Sequence, residues 1–155
     1  MRKSIIVPVF NEEGNIGNLI EQINLYLDQE DELIIIDDGS TDNTEQECRN
    51  KKCDLIKLEK NMGKGFAMRE GINKASGDLI IFMGGDGQDD PKEIELLINE
   101  IQKGYDYVIG SRFLSSNEHN QRYSDKAILP INEFGNKSIT FIIIILFGKN
   151  ITDSQ

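Results

Sequence analysis

The sequence predicts an α/β domain: a Rossmann-like fold with a mainly parallel central sheet flanked by helices. Three observations predict it. Short Ile, Val and Leu runs recur at residues 4–9, 33–36, 54–58, 79–83 and 107–109. Segments of helical periodicity separate them, the alternation that specifies βαβ units. Polar and acidic residues gather just after the runs, where ligands collect in open parallel sheets.

In chain order, the run at 4–9 lacks polar alternation and reads as a strand buried on both faces. Residues 11–15 make a turn, and Ile16, Leu19, Ile20, Ile23 and Leu27 recur at helical spacing. A second buried strand, 33–36, ends in Asp37-Asp38-Gly39-Ser40, and 41–50 reads as a short polar helix capped by Thr41 or Asp42. The third strand, 54–58, is followed by the glycine loop Asn61-Met62-Gly63-Lys64-Gly65 and a helix to about Lys74. Ser76-Gly77 breaks that helix before the fourth strand, 79–83, which is expected to be buried. A loop carrying Asp86, Gln88, Asp89 and Asp90 leads to Pro91 and a helix over 91–103 with Ile94, Leu96, Leu97, Ile98 and Ile101 on its apolar face. Residues 107–109 read as a fifth strand closing in Gly110-Ser111-Arg112. Residues 113–125 are polar and patternless. Residues 126–147 look helical, with Ile139, Ile142, Ile143, Leu146 and Phe147 packing on the sheet or on lipid.

A chain of 155 residues suits one domain. Its 17 basic and 27 acidic residues give a net charge of −10, which argues against a nucleic-acid partner and against a polybasic membrane anchor. Cys48 and Cys53 are the only cysteines and lack His or Cys neighbours, the pattern of two reduced thiols in a cytosolic protein. The N-terminal apolar run ends at a proline and Asn-Glu-Glu, so it is a strand and not a signal peptide. The longest apolar run, 139–147, is about half of a bilayer span. The lone His119, in the polar loop, reads as solvated.

Asn11, Glu12, Asp37, Asp38, Asp86, Gln88 and Arg112 all fall at strand ends. Asp86 and Gln88 offer oxygens suited to a hard cation held against a diphosphate. Asp89 and Asp90 read as caps of the helix after Pro91. A dinucleotide-binding reading fails, because the first turn is Asn11-Glu12-Glu13-Gly14 and not G-x-G-x-x-G. Gly63-Lys64-Gly65 likewise does not supply a Walker loop.

With Pro8-Val9-Phe10-Asn11-Glu12, Ile36-Asp37-Asp38-Gly39-Ser40-Thr41-Asp42, Asn61-Met62-Gly63-Lys64-Gly65 and Asp86-Gly87-Gln88 in order, the chain resembles the family-2 glycosyltransferases of the A-type fold. It is most similar to the dolichyl-phosphate mannose and glucose synthase branch, and the likeness runs from Ser4 to Gln155. Gly110-Ser111-Arg112-Phe113 and Ile151-Thr152-Asp153-Ser154-Gln155 fit that branch too. The resemblance implies one catalytic domain over 1–155 that transfers a hexose, with inversion, from a UDP-glucose or GDP-mannose type donor to a polyprenyl or dolichyl phosphate. Pro8, Phe10 and Glu12 would border the base and ribose, with Ile36 and Asp38 at the base. Gly85, Asp86 and Arg112 would line the diphosphate, and Asp86 and Gln88 would bind Mg²⁺ or Mn²⁺. Asp153 would position the reacting sugar and Arg112 would pair with phosphate, and these two are the catalytic candidates. Lys64 and Arg69 read as a loop lysine and a solvated helix charge. A cytoplasmic protein with peripheral contact at the cytoplasmic face of a membrane is implied, and no partner subunit is named.

One departure stands out. The family has Asp-x-Asp-Gly-Gln at this loop, and its first Asp falls at Gly84. The family also continues past Asp-Ser-Gln with a Gly-Phe-Arg phrase, so a truncated chain is expected. Both features favour a second reading, a catalytically silent nucleotide-sugar-binding domain.

Overall fold

Four of the apolar runs become strands of one sheet. The structure, a computed structural model, describes residues 1–110. Strands β1 (Lys3–Val9), β2 (Glu32–Asp37), β3 (Asp54–Lys57) and β4 (Leu79–Phe82) are all parallel, in the order β3-β2-β1-β4. Between and after them lie α1 (Ile16–Asn24), α2 (Thr44–Arg49), α3 (Lys64–Lys74) and α4 (Glu93–Ile101). The chain winds outward from β1 to β2 and β3, then returns to place β4 on the other side of β1. The strand order therefore reverses between β1 and β4, and a crevice at such a point opens beyond the carboxyl ends of the strands.

Side chains of a strand alternate between faces, so the sheet sorts its own residues into two cores. On one face Ile5, Val7, Val9, Leu33, Ile35, Ile81 and Met83 pack against Ile16, Leu19, Ile20 and Ile23 of α1, Cys48 of α2 and Ile94 of α4. On the other, Ile6, Ile34 and Ile36 meet Ala67 of α3. Each isoleucine fully withdrawn from water contributes about 1.5–3 kcal/mol. Helix α3 comes so close to β1 that a Cβ on Gly71 would lie 2.3 Å from Ile6 Cγ2.

Several expectations need correction. The helix expected over 41–50 starts at Thr44, because Asp42 Oδ1 accepts the Thr44 N–H and holds the preceding residues in a turn. Leu96 is 61% exposed, since the helical repeat carries it off the face that buries Ile94. Strand β4 is buried on one face only: Ile81 faces the core, while Ile80 and Phe82 are exposed because α3 covers β1 and β2. Residues 107–109 form no strand; three residues carry too few ladder bonds to fix one alone, and Tyr107 and Ile109 are exposed. All elements lie in the unit Met1–Gly104, and the described residues of the unit that starts at Tyr105 form no helix or strand. Among the described residues no helix is long and apolar enough to cross a membrane.

Candidate functional site

The carboxyl end of β1 turns sharply into α1, and residues 40–47 hold the turn from the side. Asn11 has φ +55°, a left-handed conformation that Asn tolerates better than most residues. Its N–H donates to Ser40 Oγ at 2.9 Å, and its Oδ1 accepts from the Thr41 N–H at 2.9 Å. The Glu12 N–H donates to Thr44 Oγ1 and the Glu13 N–H to Asp42 Oδ2. Glu47 accepts the N–H groups of Gly14 and Gly17 through its two oxygens. The Thr44 hydroxyl, with the N–H groups of Thr44 and Glu13, keeps the Asp42 carboxyl below its ordinary range. The amides that cradle a pyrophosphate in a dinucleotide-binding turn are thus satisfied from within by hydroxyl and carboxylate groups. A diphosphate has no donors to gain there.

The end of β2 serves as a second brace. The Asp38 N–H donates to the Val9 carbonyl at 2.9 Å, joining β2 to β1 beyond the last paired residues. Asp38 as a whole is 4% exposed, and its carboxylate accepts the Met62 N–H at 2.7 Å on one oxygen and the Gly63 N–H at 2.8 Å on the other. Gly39 follows at φ +75°, and a Cβ there would lie 2.5 Å from the Lys60 carbonyl carbon. A positive φ and a backbone in contact leave room for glycine alone. Asp37 is fully buried below: Oδ1 accepts the Ser40 N–H at 2.8 Å, and Oδ2 has no hydrogen bond but faces Lys57 Nζ at 4.0 Å. Lys57 in turn pairs with Glu45.

The loop after β4 completes the rim. A Cβ on Gly85 would lie 2.5 Å from Val9 Cγ1 and 3.1 Å from the Pro8 carbonyl oxygen. Gly85 therefore seats this loop directly on the end of β1. Asp86 and Gln88 are exposed, with Asp86 Oδ1 accepting the Gln88 N–H at 3.0 Å. Asp90 accepts the N–H of Lys92, the residue just before α4, at 3.0 Å, and no side chain caps the helix itself. Asp89 turns back, and its Oδ2 accepts the Gly84 N–H at 2.7 Å. Among the described residues no three His, Cys, Asp or Glu side chains converge as a closed metal site. The hard oxygen donors of Asp86, Gln88 and Asp89 suit Mg²⁺ or Mn²⁺ completed by substrate phosphates, the usual arrangement for Mg²⁺.

The structure brings Pro8, Phe10, Glu12, Asp38, Gly85, Asp86 and Gln88 to one rim. Phe10 is 42% exposed, and Glu12 is half-buried with its carboxylate accepting from Asn15 Nδ2. Ile36 is the exception. Strand alternation sends it into the core beside Ala67 with none of its surface exposed, so its side chain cannot meet a base. Arg112 and Asp153 lie outside the described residues. The braces Ser40, Thr44 and Glu47 and the loop-closing Asp89 were not foreseen. The hydroxyl-rich phrase Ser40-Thr41-Asp42-Asn43-Thr44 was the available signal, but it names no partner.

Comparison with known proteins gives the following. The profile of glycosyl transferase family 2 matches residues 4–153. An uncharacterised protein of Methanocaldococcus jannaschii is 32% identical over 155 residues, covering 97% of this chain and 60% of that protein. The undecaprenyl-phosphate 4-deoxy-4-formamido-L-arabinose transferase of Proteus mirabilis is 39% identical over 118 residues, 70% of this chain and 36% of that enzyme. The dodecaprenyl-phosphate galacturonate synthase of Rhizobium johnstonii is 37% identical over 119 residues, 70% of this chain and 35% of that enzyme. Among solved structures, glucosyl-3-phosphoglycerate synthase of Mycobacterium tuberculosis with Mn²⁺, UDP and glucosyl-3-phosphoglycerate superposes with TM-score 0.56 at 28% identity, covering 64% of this chain and 39% of that one. The same enzyme is also known with Mg²⁺ and UDP.

Proposed function

The chain belongs to glycosyl transferase family 2, and on that premise we propose that it transfers a hexose from a nucleoside-diphosphate sugar to a polyprenyl phosphate, with inversion. The observation that carries the reading is the meeting of three strand ends at the β1/β4 reversal, with Asp38 bonded to Val9 and Gly85 seated against it. The chain spans 60% or less of the length of the relatives above, so activity, donor and acceptor all belong to the proposal. The Proteus mirabilis and Rhizobium johnstonii enzymes are named for different sugars and both for a polyprenyl phosphate, which supports the acceptor class. The donor is taken as of the UDP-glucose or GDP-mannose type.

Pro8 and Phe10 border the base, and Glu12 faces the ribose. An ionised carboxylate offers about four acceptor positions; the 61–63 loop uses two on Asp38, so it can also take the ring N–H of uracil or guanine. Asp86 and Gln88 would hold Mg²⁺ or Mn²⁺, which would neutralise charge developing on the leaving diphosphate. The acidic rim makes this requirement physical, because Glu12, Asp38, Asp86 and Asp89 would otherwise repel a diphosphate. Arg112 pairs with phosphate oxygens through its planar fork, and Asp153 positions the sugar. An acceptor oxygen attacks the anomeric carbon as the bond to the nucleoside diphosphate breaks. A phosphate monoester with second pKa about 6 is already mostly dianionic at neutral pH, so no side chain need remove a proton. A lipid acceptor calls for peripheral contact with a membrane.

The test is incubation of the full chain with labelled UDP-glucose or GDP-mannose, Mn²⁺ and undecaprenyl phosphate in detergent. The expected result is a labelled glycolipid that partitions into organic solvent. Absence of product with either donor rejects the transferase. Gly84 in the metal loop favours a second reading, a silent nucleotide-sugar-binding domain. Calorimetric binding of UDP or GDP without turnover selects that one.

A further inference from the structure

Gly84 stands where the resemblance expects the first aspartate of the metal motif, and the loop folds so that a neighbour fills the gap. A Cβ built on Gly84 would lie 3.1 Å from Asp86 Oδ1 and 3.2 Å from Asp89 Oδ2. Two carboxylates therefore flank the space into which a side chain at 84 would start. Asp89 reaches that space from five residues downstream, held by the Gly84 N–H at 2.7 Å. That bond occupies one lone pair and leaves the rest of the carboxylate to other ligands. A side chain at 84 and Asp89 in this position crowd one another, so the glycine and the returned aspartate belong together.

Resting on the donor site proposed above, we infer that Asp89 supplies the carboxylate that residue 84 lacks. Asp86 and Asp89 together hold the divalent cation, with Gln88 as a neutral oxygen donor. Mg²⁺ sites of this kind use one or two carboxylates, substrate phosphates and water. Both oxygens lie within 3.2 Å of one point, so the two carboxylates border the same small space. The ion also relieves the repulsion between them.

The experiment is Mn²⁺ titration of the full chain in the presence of UDP or GDP, following free Mn²⁺ by electron paramagnetic resonance. Asp89→Asn keeps a carbonyl oxygen for the Gly84 N–H, so the loop should survive; equal melting temperatures without metal check this. Asp89→Asn and Asp86→Asn should each weaken Mn²⁺ binding about tenfold or more. Gly84→Asp combined with Asp89→Ala should recover most of what Asp89→Ala alone loses, because alanine at 89 vacates the space that a side chain at 84 enters. If Asp86→Asn loses Mn²⁺ while Asp89→Asn binds it as the unaltered chain does, Asp89 is only a loop brace and the inference fails, leaving the donor site standing. If the unaltered chain binds no Mn²⁺ with either nucleotide, the inference and the reading beneath it fall together.

Discussion

Asp38 shows how much one carboxylate can be asked to do. Its two oxygens accept from Met62 and Gly63, 24 and 25 residues downstream, and its own N–H is spent on Val9. Hydrogen bonds to a charged acceptor contribute about 1.5–3 kcal/mol each. Asp38→Ala should therefore destabilise the chain by about 2–4 kcal/mol, speed hydrogen exchange at Met62 and Gly63, and weaken UDP or GDP binding in calorimetry. Unchanged exchange at those two amides would show that the brace is not needed. Asp37 differs although it is adjacent and chemically identical: it is wholly buried, half bonded, and balanced by Lys57 at 4.0 Å. Both are buried, so the partners that reach each carboxylate, and not residue type or burial, separate the rim group from the supporting one. Burial does govern the cysteines: it pushes the Cys48 thiol up to about 12 and that of Cys53 to about 11, leaving little thiolate at neutral pH.

Helices and strands set the distances between these groups. Helix α3 begins where the 61–63 loop ends, and it lies on β1 and β2 only because residue 71 has no side chain. The Ile6 Cγ2 that a Cβ would strike at 2.3 Å belongs to a stiff β-branched side chain in the core. Gly71→Ala should cost about 1–3 kcal/mol by overpacking, read as a lower urea midpoint. It should also weaken nucleotide binding, because lifting α3 drags the Asn61–Gly63 loop off Asp38; the control Asn73→Ala, on an exposed helix position, should change neither. Strand β4 illustrates the converse. Its apolar run looks suited to full burial, yet only one face is covered, because that depends on where α3 and α4 land.

At the scale of the whole molecule, the two ends of the sheet carry separate duties. The carboxyl ends hold the candidate site, while the amino ends hold a charge cluster that serves stability. Lys3 Nζ lies 2.8 Å from Asp31 Oδ2, and Glu32 accepts from Ser4, Ser76 and its N–H and pairs with Arg2. Burial would raise the Asp31 carboxyl, but hydrogen bonds from the Lys3 side chain and backbone outweigh it and leave it below its ordinary 3.8. Burial is likewise outweighed at Glu32, by Ser4 and Ser76, leaving it below 4.5. The hydrogen bond to Asp31 raises Lys3 above 10.5. Lowered carboxyls stabilise fully above their unfolded values and lose that contribution as pH falls through the folded ones; a raised lysine does so below its unfolded value and loses it as pH rises. Stability from this cluster should therefore hold between about pH 4.5 and 10.5 and decline on either side. Asp31→Asn should shrink the drop in urea midpoint between pH 5 and pH 3, while Mn²⁺ binding at pH 7 stays as it was.

The sequence by itself determined the α/β class, where four strands fall along the chain, and which stretches reach the rim, because hydrophobic periodicity and turn chemistry are local properties read within a few residues. It also exposed Gly84 as a departure. Only the tertiary structure decided which residues the rim could use. Ile36 and Asp38 are two apart, and packing against Ala67 took the first into the core while the Met62 and Gly63 amides claimed the second. Asp89 and Asp90 read alike as caps, yet one turned back to Gly84 and the other stayed with Lys92, just before α4. Each of these outcomes depends on which backbone N–H or side chain arrives from elsewhere in the chain, and that is a matter of distance in space, which residue order does not carry.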